Sequence, residues 1–113
     1  MKIVNRTRQC TLADKVAVAD SFSSRMTGLL NRDTLDVGEA LIITHCQSIH
    51  MFFMRFAIDV IFVDRADRVV GLVKNIKPFR LSGIYFKANN VIELPAGAID
   101  QSKTALGDQL DVT

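Results

Sequence analysis

Between residues 40 and 94 the chain is cut into short apolar runs, four to seven residues long, separated by turn-forming or charged residues. Runs that brief are too short for the helices of a globular core. They suit strands buried on one or both faces. Ala40–Thr44 reads as a strand covered on both faces, Ser48–Met54 as a second, and Ile58–Val63 as a third, interrupted only by Asp59. Arg65-Ala66-Asp67 makes a tight polar connection, and Arg68–Lys74 then returns. Segments 58–63 and 69–74 therefore predict an antiparallel hairpin. Val91–Leu94 is a further strand, stopped by Pro95-Ala96-Gly97.

The flanks extend this pattern. Lys2–Asn5 and Lys15–Ala19 read as strands, the second through its valines, with the polar stretch 5–11 turning between them. Asp20 suits a helix N-cap. Phe22, Met26, Leu29 and Leu30 then recur at i, i+4, i+7 and i+8, which predicts a helix over about 21–30, weakened near its end by Gly28. Ala98 to Leu106 predicts a short second helix, about 98–105, with Ile99, Ala105 and Leu106 inward. Gln109–Val112 reads as a last strand. About eight short strands and two helices define a mostly β (α+β) fold: a small, largely antiparallel barrel or sandwich with helices plugging an end.

Composition narrows the function. With 113 residues and 49% apolar content, the chain is one domain's worth of polypeptide, 1–113, far short of a TIM barrel. A net charge of +2 with that apolar content excludes a disordered chain. No 18-residue apolar run exists, so no membrane-spanning helix is expected. The first residues, Met1 to Arg8, lack the apolar core of a secretory signal. A soluble cytoplasmic domain with reduced Cys10 and Cys46, monomeric or weakly dimeric, is the expectation.

Three groups of residues carry the chemistry on offer. The densest is Thr44 to His50. Cys46 with His50, His45 and Asp59 contains the donor types of a zinc or copper site, but the expected reading is no metal: a small buried thiol and hydrogen-bonded histidines. The same Cys46, His50 and Asp59 would serve a hydrolase or thiol enzyme, since an imidazolium lowers a thiol pKa. No family-specific motif surrounds Cys46, and a cysteine and histidine so close in sequence are not the usual protease arrangement. The second is Asp59 itself. An unpartnered buried carboxylate costs several kcal/mol, so Asp59 must face water, pair with Arg25, Arg32 or Arg55, or accept backbone amides. The third is the stretch from Arg68 to Lys87, which holds Lys74, Lys77 and Arg80 with Phe79, Tyr85 and Phe86 and lacks any acidic residue. Cations interleaved with rings suit single-stranded nucleic acid, yet five charges over that length are sparse, and nucleic acid is not the expected partner. Glycine-rich phosphate loops, Cys-x-x-Cys, Gly-x-Ser-x-Gly and His-Glu-x-x-His motifs are absent.

Five motifs in order carry a family resemblance. Arg25 to Arg32 resembles Arg-x-x-Gly-Leu-Met-x-Arg, Gly38 to Ile43 resembles Gly-Glu-Gly-Met-Leu-Phe, and Phe52 to Arg55 resembles Phe-Trp-Met-Lys. Ile58 to Phe62 resembles Leu-Asp-Ile-x-Phe, and Val91 to Gly97 completes the set with Gly107-Asp108 behind it. Together, from about Lys15 to Val112, these resemble the domain of unknown function 192 family of small prokaryotic proteins. Arg55-Phe56-Ala57 departs from the usual Lys-Asn-Thr-x-x-Pro by being shorter and lacking its Asn and Thr. The resemblance implies a compact β-rich domain with one packed helix. It maps the recurring polar positions onto Arg25, Arg32, Glu39, Asp59, Glu93 and Asp108, either as a site or as ion pairs and turns holding the fold.

The function expected from these readings is a non-catalytic binding module. Arg25, Arg32, His50, Arg55 and Asp59 would hold a small anionic molecule or a protein segment, without a cofactor.

Overall fold

The computed structural model describes residues 1–20, 33–51 and 54–113. Among these residues, eight strands form two sheets: β1 (Ile3–Asn5), β2 (Cys10–Ala13), β3 (Lys15–Ala19), β4 (Glu39–Thr44), β5 (Ile58–Val63), β6 (Val69–Ile76), β7 (Asn90–Pro95) and β8 (Leu110–Val112). A single short helix, α1 (Ala98–Ser102), appears among the described residues. The smaller sheet has the order β2-β1-β8 and the larger β3-β4-β7-β5-β6. Of the barrel and sandwich expected, the strands give two sheets sharing a core and no closed barrel.

Among the described residues, five of the six strand pairings are antiparallel. The hairpin β5–β6 forms as its sequence predicts, with Ile61 opposite Leu72 and Phe62 opposite Gly71. Asp64 closes the turn by accepting the amides of Ala66 and Arg68, the local side-chain bond that makes Asp a turn residue. The exception is β3, which runs parallel to β4. A parallel pair cannot be joined by a tight turn, and residues 20–38 separate the two strands. The helix expected over about 21–30, with Arg25 and Arg32, lies outside the described residues.

Every residue of β5 is buried, because both faces of the larger sheet are covered. Alternation sends Ile61 and Val63 to one face with Ile42, Ile92 and Leu94, where they meet Ile3, Leu12 and Leu110 of the smaller sheet and Ile99 of α1. It sends Ile58, Val60 and Phe62 to the other with Leu41, Ile43 and Val91, under Ile49, Met51 and Met54. The period-2 pattern thus builds two cores from one sheet.

Three expectations need correction. The polar stretch expected to turn over 5–11 turns only at 6–9: Asn5 ends β1, and Cys10 and Thr11 begin β2, which extends to Ala13 and pairs with β1. The apolar run 48–54 forms no strand among its described residues, only an isolated bridge from His50 to Leu81. Its Ile49, Met51 and Met54 cover the sheet instead of joining it. The second helix ends at Ser102, because Lys103 adopts a left-handed conformation with φ 58°. Leu106, expected inward, is consequently exposed.

Candidate functional site

Asp59 sits on β5, nearly devoid of solvent exposure, on the face that looks toward α1. Its Oδ1 accepts the Asn75 amide at 2.8 Å, and its Oδ2 accepts the amides of Gly97 at 3.1 Å and Ile99 at 2.9 Å. The reason lies in the next element. A helix leaves its first amides unsatisfied, and the residue at the N-cap of α1 is Gly97, with φ 97° and no side chain to offer. Asp59 supplies the missing acceptor from a neighbouring strand. The same carboxylate fixes β6 where Asn75 takes φ 51°. Of the roles open to Asp59 in the sequence, the structure displays the bonding to backbone amides.

Of the other residues of the expected site, Arg25 and Arg32 lie outside the described residues, and Arg55 and His50 bond elsewhere than to Asp59. Arg55 is exposed and pairs with the exposed Asp33 through Nη1–Oδ1 at 3.2 Å, a contact of the kind that contributes little. His50 is half-buried and bridged to Leu81. Cys46 directs its thiol at the Ser48 carbonyl, 3.0 Å away. Cys10 and Cys46 are not joined in a disulfide. No group of three or more metal-ligating side chains occurs among the described residues.

Other acidic positions that the family resemblance marked also tie backbone. Glu39 accepts the Asp36 amide at 2.9 Å. Asp108 is buried and accepts Asn5 Nδ2, Arg8 Nε and the Ala105 amide, each at 3.0 Å. Burial pushes the Asp108 carboxyl upward. The hydrogen bonds from Arg8, Asn5 and the Ala105 amide, with the Arg8 charge, outweigh burial and hold it below the ordinary carboxylate range. Glu93, on β7, is fully buried on the opposite face from Asp59, in register with Leu41 and Val60.

The basic–aromatic stretch is broken up by the fold. Lys74 turns to Asp100, with Nζ–Oδ1 at 2.7 Å, and that hydrogen bond holds its amine above the ordinary lysine value. Tyr85 stacks on Phe62, ring centroids 4.1 Å apart. One cation and one ring are thereby withdrawn from any stripe that would track a nucleic-acid strand.

A groove of about 320 Å³ opens elsewhere, between β2, the turn at Val37-Gly38 and α1. Five consecutive residues, Cys10 to Asp14, line it. Side chains of a strand alternate between faces, so a consecutive run on one wall means that the groove follows the backbone edge of β2. Among the described residues that strand is the edge of its sheet, paired with β1 on one side only. Pro95, Ala96, Ala98, Gln101 and Ser102, from the end of β7 and α1, also line it. Among its lining residues there is no lysine, arginine or histidine. The sequence reading missed this groove. Its lining comes from residues 10–14, 37–38 and 95–102, and only Gly38, Pro95 and Ala96 belong to motifs of the family resemblance, at the motif ends.

Fold and groove together define a small two-sheet β domain with an edge strand set beside a short helix. The chain belongs to the domain of unknown function 192 family, described as "Uncharacterized ACR", whose model matches residues 3–112. It is 34% identical over 113 residues to a UPF0127 protein of Thermococcus sibiricus, covering 96% of this chain and 73% of that one. It is likewise 34% identical over 111 residues to a UPF0127 protein of Pyrococcus horikoshii, covering 96% of each chain. Its fold is similar to the crystal structure of a protein of unknown function from Novosphingobium aromaticivorans, with a TM-score of 0.83, 19% identity, and coverage of 99% of this chain and 84% of that one.

Proposed function

We propose that the domain is a non-catalytic binding module for a protein segment, taken as an extended strand along β2. The observation that supports this reading is the run of five consecutive residues on one wall of the groove. An edge strand presents main-chain groups that a second chain completes, while the neighbouring pockets sort its side chains. Leu12, Ala13 and Ala98 give the groove its apolar surface, and Thr11, Gln101 and Ser102 its polar partners. The lack of a cation in the lining favours a peptide over a small anion. Asp59 serves the site indirectly, because its bonds to Gly97 and Ile99 hold the helical wall in place.

Selection from a displayed peptide library tests the reading. Selected peptides slow amide hydrogen exchange across Cys10–Ala13, and Ala98→Trp, which fills the groove, weakens them at least tenfold. Peptides that bind Ala98→Trp as tightly as the natural chain, or that leave β2 exchange unchanged, refute it.

A further inference from the structure

The surface farthest from explanation is the connection between β6 and β7. Within eight residues it exposes Phe79, Leu81, Ile84 and Phe86, at 65%, 66%, 61% and 79% of their full surfaces. Lys77, Arg80 and Lys87 are interleaved with them and also exposed. No acidic residue occurs from 68 to 92. A soluble domain gains nothing by exposing four large apolar side chains on one connection, and such a patch marks an interaction surface.

The segment is firmly held at its base. Met51 N–H donates to the Arg80 carbonyl, Phe79 N–H to Met51, Ser82 N–H to Ile49 and Tyr85 N–H to Gln47. Ile49 N–H donates to Ser82 Oγ, and Gln47 Nε2 to the Phe86 carbonyl. Tyr85 and Ala88 turn into the core, which leaves the intervening apolar residues outward. Phe79 also holds φ 65°, a left-handed conformation that a bulky side chain rarely adopts.

We propose that this connection docks the protein on an anionic lipid bilayer, its apolar side chains entering the interface while Lys77, Arg80 and Lys87 meet the headgroups. The degree of exposure selects the occupant. Leu81 and Ile84 keep three-fifths or more of their surface in solvent, and Phe86 borders only an open, mainly polar hollow with Gln47, Asp64 and Arg65, which offers a peptide little apolar grip. A bilayer requires no matching shape, only apolar insertion beside cations. The positive charge of the segment is complementary to anionic headgroups. No helix among the described residues is long and apolar enough to cross a membrane, so the contact proposed is peripheral. It is separate from the groove at β2 and stands or falls independently of it.

Co-sedimentation of the full chain with vesicles tests the proposal. With each cation near an anionic surface worth about fivefold in binding, vesicles of 70% phosphatidylcholine and 30% phosphatidylserine bind about 100-fold more strongly than pure phosphatidylcholine. Raising salt from 0.1 to 0.5 M removes most of that difference. The triple variant Leu81→Ser, Ile84→Ser, Phe86→Ser melts at the natural temperature and binds the anionic vesicles at least tenfold more weakly. Val18→Ser with Leu106→Ser, exposed apolar positions elsewhere, binds as the natural chain does. Equal binding to both vesicle types, or undiminished binding by the triple variant, overturns the proposal. So does self-association abolished by the triple variant, which would assign the surface to a second copy. Equally tight capture of poly-glutamate would assign it to an acidic protein.

Discussion

Removing the Asp59 carboxylate tests whether that residue is a clamp. Asp59→Ala deletes one acceptor shared by three amides. Hydrogen bonds to a charged acceptor contribute about 1.5–3 kcal/mol each, and a buried amide left unsatisfied costs about 1–3 kcal/mol. The three do not simply add. Ile99 is fully buried and its amide bears the whole penalty, Gly97 is half-buried, and Asn75 is exposed enough for water to replace the lost bond. The expected loss is therefore about 3–5 kcal/mol, a third or more of the stability of a typical domain, or roughly 10–20 °C in melting temperature. Asp59→Asn keeps one acceptor oxygen. With that oxygen toward Gly97 and Ile99, its amide group faces only the Asn75 N–H, and the loss falls to about 1–2 kcal/mol. Urea denaturation with the m-value held constant measures both, and hydrogen exchange at Ile99 localises the change. A loss below about 1 kcal/mol for Asp59→Ala, or a greater loss for Asn than for Ala, would refute the reasoning.

Two further perturbations follow from the same contacts. Asp108 has a folded-state pKa below its unfolded value of about 3.9, so its stabilisation is complete above about pH 4 and is lost as pH falls through the folded value. Asp108→Asn thus costs about 2–3 kcal/mol at pH 7, and its deficit against the natural chain narrows at pH 3. A deficit independent of pH in urea titrations would count against the assignment. Gly71 has the Tyr85 ring directly where a Cβ would stand. Gly71→Ala therefore loses about 2–3 kcal/mol by overpacking, and most of that loss disappears in a Tyr85→Ala background, read by a double-mutant cycle.

Much of the larger sheet was legible because its signals are local. The hairpin β5–β6 announces itself by two apolar runs around a three-residue polar turn, β4 by a run that begins after Gly38, and β7 by a run stopped at Pro95. β2 was not legible, since Cys-Thr-Leu-Ala has neither a long apolar run nor a clean alternation, and only pairing with β1 makes it a strand. The run 48–54 misled for the converse reason. An apolar run reports burial, and burial is satisfied as well by covering a sheet as by joining it. Asp59 was recognisable as a buried carboxylate needing partners. That those partners are the amides of Asn75, Gly97 and Ile99 depends on a helix brought beside β5 from 40 residues away.

The order of the residues alone determined that this chain buries short β segments on two faces, places acids at its turns, and leaves a stretch from 68 to 92 without negative charge. Those properties follow from alternation, side-chain chemistry and counting, which act between near neighbours. Tertiary structure alone decided which edge remained open beside α1, which cations were spent on internal pairs, and which apolar residues stayed in water. These outcomes depend on distances between segments remote in sequence, and such distances exist only after the two cores have closed.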